Sequence, residues 1–191
     1  IMAAHHLLGE KRKRVALRMD IKGFFEKITY ESVYFFFIKC GCSEKGAKIL
    51  SDICCVPLGP KEVPLSSRSI ARGFATSSRL AIWCSLDVVI KIDRLIKKRL
   101  KGRDARLAVY VDDIGVTASR VTKVEMEKLS REIEALLISD PYQPLPLNKE
   151  KTKIISHEEG IQHLGIGLNR ASLKLGSKSK SKGDSLKRKL D

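Results

Sequence analysis

The sequence predicts an α+β fold, an antiparallel sheet with helices packed on one face. Two observations carry that expectation. Arg106–Ser119, RLAVYVDDIGVTAS, reads as two apolar strands joined by a short turn. The segments on either side of it carry apolar residues at helical spacing, with capping signals at their starts. The order along the chain is strand, helices, hairpin, helix, strands.

The elements follow in order. A basic run, Lys11–Arg14, leads into a strand over Val15–Ile21. Thr29 is placed to cap a helix over Tyr30–Lys39, with Val33, Phe36 and Phe37 inward and Gly41 ending it. Ser43 starts a second helix to about Cys54, with Ala47, Ile49, Leu50 and Ile53 inward. Pro57-Leu58-Gly59-Pro60 breaks the chain, and Lys61–Arg72 reads as a loop or hairpin. Ala75–Leu100 carries the longest helical pattern, with Leu80, Trp83, Leu86 and Ile90 on its stripe, a basic C-terminal turn and Gly102 as its stop. Thr122-Lys123-Val124-Glu125 is a capping box that opens a helix to about Ile138, with Val124, Leu129, Ile133, Leu136 and Leu137 inward. Pro141, Pro144 and Pro146 exclude helix beyond it. Short strands are expected at Lys153–Ser156 and Gln162–Leu168. Gly176–Asp191 is polar and basic with little to bury.

Composition narrows the partners. Hydrophobic residues make up 43% of the chain, enough for a core, and Lys plus Arg exceed Asp plus Glu by 37 to 22. The net charge of +15 favours a nucleic-acid partner over a merely basic surface. The five cysteines include no C-x-x-C pair and have apolar neighbours, so they read as reduced core thiols rather than zinc ligands. No segment reads as a membrane span or a signal peptide, which points to the cytoplasm. The first residue is Ile1 rather than Met, so a fragment of a longer chain is expected.

The hairpin turn raises the chemical question. Turns often hold Asp-Gly, whereas this one holds Asp112-Asp113. Two adjacent carboxylates either share a proton or bind a cation, and hard oxygen ligands suit Mg²⁺. Asp20, near the end of the first apolar strand, is the candidate third carboxylate. Two Mg²⁺ ions held there would activate a 3′-hydroxyl and steady a leaving pyrophosphate. The plainer alternative makes Asp20 a strand-end cap and Asp112-Asp113 a solvated turn.

RMDIKGFFEKI, YVDD, LNKEKTKI and HLGIGLN, in this order, resemble motifs A, C, D and E of a reverse transcriptase, nearest to the retron, group II intron and abortive-infection types of prokaryotes. The resemblance implies a polymerase palm over residues 1–175 with a remnant of the fingers, and a basic linker or truncated thumb over 176–191. It implies a metal site of Asp20, Ile21, Asp112 and Asp113 holding two Mg²⁺, with Asp113 the most tolerant of change. It makes Phe25 a steric gate against a 2′-hydroxyl, which favours deoxynucleotides. It places Lys151 near the triphosphate as a proton donor to pyrophosphate. Tyr110, Leu164 and Gly165 become primer-binding residues, the last two in a primer-grip hairpin at His163–Leu168. Met2–His6 weakly resembles the N-A-x-x-H element of retron enzymes.

Motif B departs from the family pattern. In Ala71–Ser78, Gly73 and Ser77 match, Arg72 replaces the glutamine that lies against the incoming nucleotide, and Ser78 replaces a proline. Arg72 retains the means to reach a phosphate or stack on a base, and Gly73 to let backbone approach the base pair. Thr76, Ser77 and Ser78 also read as helix N-caps. The implied activity is RNA-directed DNA synthesis on a primer 3′-hydroxyl, in a retron or a related phage-defence or mobile element. The implied partners are an RNA template, a DNA or RNA primer, dNTPs and a structured non-coding RNA. A fragment of this kind is expected to be inactive alone. A non-catalytic nucleic-acid-binding remnant and an untemplated DNA-synthesising enzyme are the competing expectations.

Overall fold

The computed structural model describes residues 6–7, 13–58, 67–140, 142–156, 159, 161–163, 166–169 and 172–175. It is a mixed α and antiparallel β structure whose chain divides into two compact units. The first comprises residues 1–20, 94–132 and 148–191; the second comprises 21–93 and 133–147. Among the described residues no helix is long and apolar enough to cross a membrane.

The first unit is built on a sheet of β1 (Arg14–Asp20), β4 (Arg106–Tyr110), β5 (Asp113–Ser119) and β6 (Lys153–Ser156), in the order β4-β5-β1-β6, all antiparallel. The central strands are the most buried. Leu17 and Met19 of β1, and Ile114, Val116 and Ala118 of β5, are buried. Arg14 is also buried in β1 and bonds to Thr117 and Asp104, which offsets the cost of burying its charge. Three further strands, β7 (Ile161–His163), β8 (Ile166–Asn169) and β9 (Ser172–Leu175), pair in sequence as a second antiparallel sheet. The strand expected at 162–168 is thus two paired strands, β7 and β8, and β9 follows a Ser-Leu-Lys-Leu alternation that the sequence reading passed over.

The second unit holds β2 (Cys55–Pro57) paired with β3 (Arg68–Ile70), and the helices α1 (Phe24–Lys27), α2 (Tyr30–Lys39), α3 (Glu44–Cys54) and α4 (Ser77–Cys84). Two longer helices, α5 (Leu86–Arg99) and α6 (Lys123–Ile138), begin in one unit and end in the other. Three caps are as the sequence reading places them. Thr29 and Ser43 accept from the backbone N–H of Ser32 and Gly46. Thr122 and Glu125 satisfy each other's backbone N–H groups reciprocally.

Three expectations are corrected. The first concerns α3, which buries Ala47 and Ser51 and leaves Ile49, Leu50 and Ile53 exposed. Small residues one turn apart set the packed face, and the Ser51 hydroxyl is satisfied by the Ala47 carbonyl at 2.8 Å. The second concerns the long helix, which is two helices broken at Ser85, with Trp83, Leu86 and Ile90 exposed. The Ser85 hydroxyl donates to Ala81 O at 2.9 Å and accepts from Gln143 Nε2 at 2.6 Å. Such side-chain bonding competes with the helical ladder. The third concerns α6, where Val124 is exposed and Met126, Leu129, Ile133 and Leu137 form the buried stripe. The cysteines are free, but Cys40 is exposed rather than core.

Candidate active site

The first group of candidate residues lies within the first unit and follows from strand register. Asp20 ends β1 directly opposite Asp113, which begins β5. Tyr110, the last residue of β4, pairs with Asp113 from the other side. Between Tyr110 and Asp113 the chain turns in two residues, Val111 and Asp112. Val111 has φ 57°, left-handed backbone that a β-branched residue rarely adopts. Such strain costs on the order of 1–3 kcal/mol and persists only where surroundings enforce it. The turn therefore holds Asp112 beside Asp113 at a local cost.

Like charges directly opposite across a sheet repel, and here each is met by a cation. Arg18 lies on β1 two residues before Asp20, so it shares a strand face with it. Its Nε and Nη2 donate to the two carboxylate oxygens of Asp113, both at 3.1 Å. Lys151 Nζ lies 3.1 and 3.2 Å from the carboxylate oxygens of Asp20, a buried residue. Lys151 reaches that place from a tight turn. The Asn148 N–H donates to the Asp20 carbonyl at 2.7 Å, and the Asn148 carbonyl accepts from the N–H groups of Lys151 and Thr152 and from the Thr152 hydroxyl. The Asn148–Thr152 segment thus docks on Asp20 through both backbone and side chain. Asp112 makes no side-chain hydrogen bond or ion pair among the described residues. Tyr110 is exposed.

The second group lies within the second unit. Phe24 is buried, and Phe25 beside it is half-buried. The Arg72 guanidinium lies 6.0 Å over the Phe25 ring and forms an ion pair with Glu26. Hydrogen bonding from Arg72 is the main cause that lowers the Glu26 carboxyl below its ordinary value. Gly73 has φ 91°, which accounts for glycine there. A Cβ at Gly73 would meet no protein atom within 4 Å. Of the N-cap candidates Thr76, Ser77 and Ser78, only Thr76 takes that position. Thr76 caps α4 without a side-chain bond, and the Ser77 hydroxyl donates instead to Ala71 O at 2.6 Å. Ile21 is buried and bridges to Leu147.

Leu164, Gly165 and the Met2–His5 part of the N-terminal motif lie outside the described residues. Arg18 and Glu26 were missed by the sequence reading. Strand alternation was the available signal for Arg18, since a cation at i−2 shares the face of Asp20. No sequence signal identified Glu26.

Among the described residues no three His, Cys, Asp or Glu side chains converge into a ready-made metal cage. The donor chemistry nonetheless fits Mg²⁺. This ion commonly takes one or two carboxylates and completes its shell with water and substrate phosphates. Asp20 in register with Asp113, with Asp112 adjoining, supplies carboxylates of that kind at one sheet end.

This fold is similar to that of solved structures. Telomerase from Candida albicans in complex with a TWJ fragment of telomeric RNA matches with TM-score 0.58 at 14% identity, over 92% of this chain and 33% of that one. Apo telomerase from Candida tropicalis matches with TM-score 0.60 at 14% identity, over 91% of this chain and 35% of that one. A form of the latter truncated from its C-terminal domain matches equally well by TM-score, 0.60, over 86% of this chain. The chain therefore spans about a third of the length of these neighbours. No family model and no curated protein matches it.

Proposed function

We propose that this chain is the palm core of an RNA-directed DNA polymerase that adds dNTPs to a primer 3′-hydroxyl. One observation carries the reading: β1 and β5 bring Asp20 into register with Asp113, with Asp112 on the adjoining turn. Asp20 and Asp112 would hold Mg²⁺, with Ile21 beside them. Bound there, the ions would lower the pKa of the primer hydroxyl and neutralise charge on the triphosphate.

The chain's own residues supply the remainder. Lys151, docked on Asp20, stands ready to move to the triphosphate and protonate the leaving pyrophosphate. Phe25 bounds the sugar and disfavours a 2′-hydroxyl. Arg72, held by Glu26 and stacked on Phe25, meets the incoming nucleotide where the related enzymes carry glutamine. Tyr110 is assigned to primer binding, and the motif spelling assigns Leu164 and Gly165 to it as well. The net charge of +15 supports binding of an RNA template. The motif spellings support an origin in a retron or related defence element.

The test is primer extension on an RNA template with Mg²⁺ and dNTPs, by the intact protein and its Asp112→Ala variant. Extension by the wild type, reduced at least about 10³-fold in the variant, is expected for loss of a metal-binding carboxylate. DNA synthesis that ignores the template would favour the untemplated reading, which the Arg72 substitution keeps in view. No synthesis of either kind would favour a binding remnant.

A further inference from the structure

We propose that Arg18 is a positioning residue that ties up Asp113 and leaves Asp20 and Asp112 as the carboxylates that take the metal ion. The inference rests on the polymerase reading above and deepens it.

Three neighbouring carboxylates are not equivalent in this structure. Asp113 is gripped at both oxygens by one guanidinium, with Nε and Nη2 each at 3.1 Å. That two-pronged geometry uses the fixed fork of arginine, which lysine cannot reproduce. The Asp113 side chain is largely buried, and that of Arg18 is a little over one-third exposed. The grip also has a sheet-level cause. Arg18 sits two residues before Asp20 on β1, Asp20 faces Asp113, and the diagonal brings guanidinium and carboxylate together.

Asp20 is engaged differently. Its partner is a single, flexible ammonium, and the Lys151 side chain is mostly exposed. Such a contact yields to an incoming cation or phosphate. Asp112 has no competing protein cation among the described residues. One carboxylate is thus locked, one is reversibly held, and one is open. Arg18 also limits the negative charge at the strand ends before any ion arrives. An ion entering there meets two available carboxylates and completes its coordination from water and phosphate.

The test uses Mn²⁺ alone as probe, with free Mn²⁺ read by electron paramagnetic resonance. The intact protein is compared with Asp20→Asn, Asp112→Asn, Arg18→Ala and Arg18→Lys, each checked for folding by circular dichroism. Affinity is expected to fall at least about tenfold in Asp20→Asn and in Asp112→Asn, each of which removes a carboxylate ligand. In Arg18→Lys it is expected to rise about threefold or more, since charge is kept but the fork is lost and Asp113 is freed to bind. Arg18→Ala should tighten binding further. Tightening with Arg18→Ala but none with Arg18→Lys would overturn the proposal, because charge alone would then explain the effect. Unchanged affinity in both Arg18 variants would overturn it equally. If neither Asp20→Asn nor Asp112→Asn weakens binding, the polymerase reading falls and this proposal with it. Failure of the Arg18 arm alone leaves that reading standing.

Discussion

At the scale of single residues, the candidate site is a balance of charge and strain. Val111 occupies left-handed backbone at φ 57° between Tyr110 and Asp112. Glycine would remove that steric conflict at some cost in unfolded-state entropy. Val111→Gly is expected to stabilise the fold by about 1 kcal/mol, the strain relieved less the entropy lost. Urea denaturation would read this, and a loss of stability of similar size would show that no such strain is stored. The aspartates were legible in the sequence because their chemistry is local: an Asp-Asp turn is visible in a string of letters. Arg18 was not, because its role depends on which strands pair and in which register. A +1 shift between β1 and β5 would turn it to the other face. Lys151 was legible as a motif lysine, but its resting place on Asp20 follows from how Asn148 anchors the turn.

At the scale of elements, the caps at Thr29, Ser43 and Thr122 were read correctly, whereas several buried positions were not. A cap is decided within four residues. The Thr122–Glu125 box illustrates this, and hydrogen bonds from Thr122 backbone and Arg103 hold the Glu125 carboxyl down to about 2. Its ordinary value is 4.5. A carboxyl depressed on folding stabilises the folded state above its unfolded value, and that contribution is lost as pH falls. Glu125→Gln should therefore flatten the decline in melting temperature between about pH 4.5 and pH 2, leaving the more acidic limit unchanged. An identical decline in wild type and variant would refute the assignment. Buried faces are decided by neighbours, and apolar spacing alone misplaced α3. Ala47 is buried as the helical stripe expects, yet Ile49, Leu50 and Ile53 of the same stripe are exposed and Ser51 is the other buried position. Ile53→Lys is expected to cost less than about 0.5 kcal/mol, as an exposed substitution. Ala47→Leu is expected to cost about 1–3 kcal/mol through overpacking. Thermal melts of the two variants would reverse that order if the sequence stripe were the packed face.

At the scale of the whole molecule, the α+β class was legible because the hairpin and the capped helices mark themselves. The division into two units was not, because each is assembled from separated segments of chain. Charge is the property that belongs to the entire chain. The excess of 37 basic over 22 acidic residues leaves many cations without an acidic counterpart. Many of the acidic residues are already committed, as in the Arg103–Glu125, Arg99–Glu132 and Lys39–Asp87 pairs. Binding of single-stranded RNA should then be governed by counterion release, with log affinity falling linearly against log salt. If about five phosphates are neutralised, the slope is about −3.5, and affinity falls roughly 100-fold between 50 and 200 mM salt. Fluorescence anisotropy with an unstructured RNA across that range would give the slope. The same measurement with Asp112→Ala should return a nearly equal slope, because that carboxylate serves the ion and not the phosphate backbone. A slope near zero would remove nucleic acid as the partner and, with it, the reason for the basic surface.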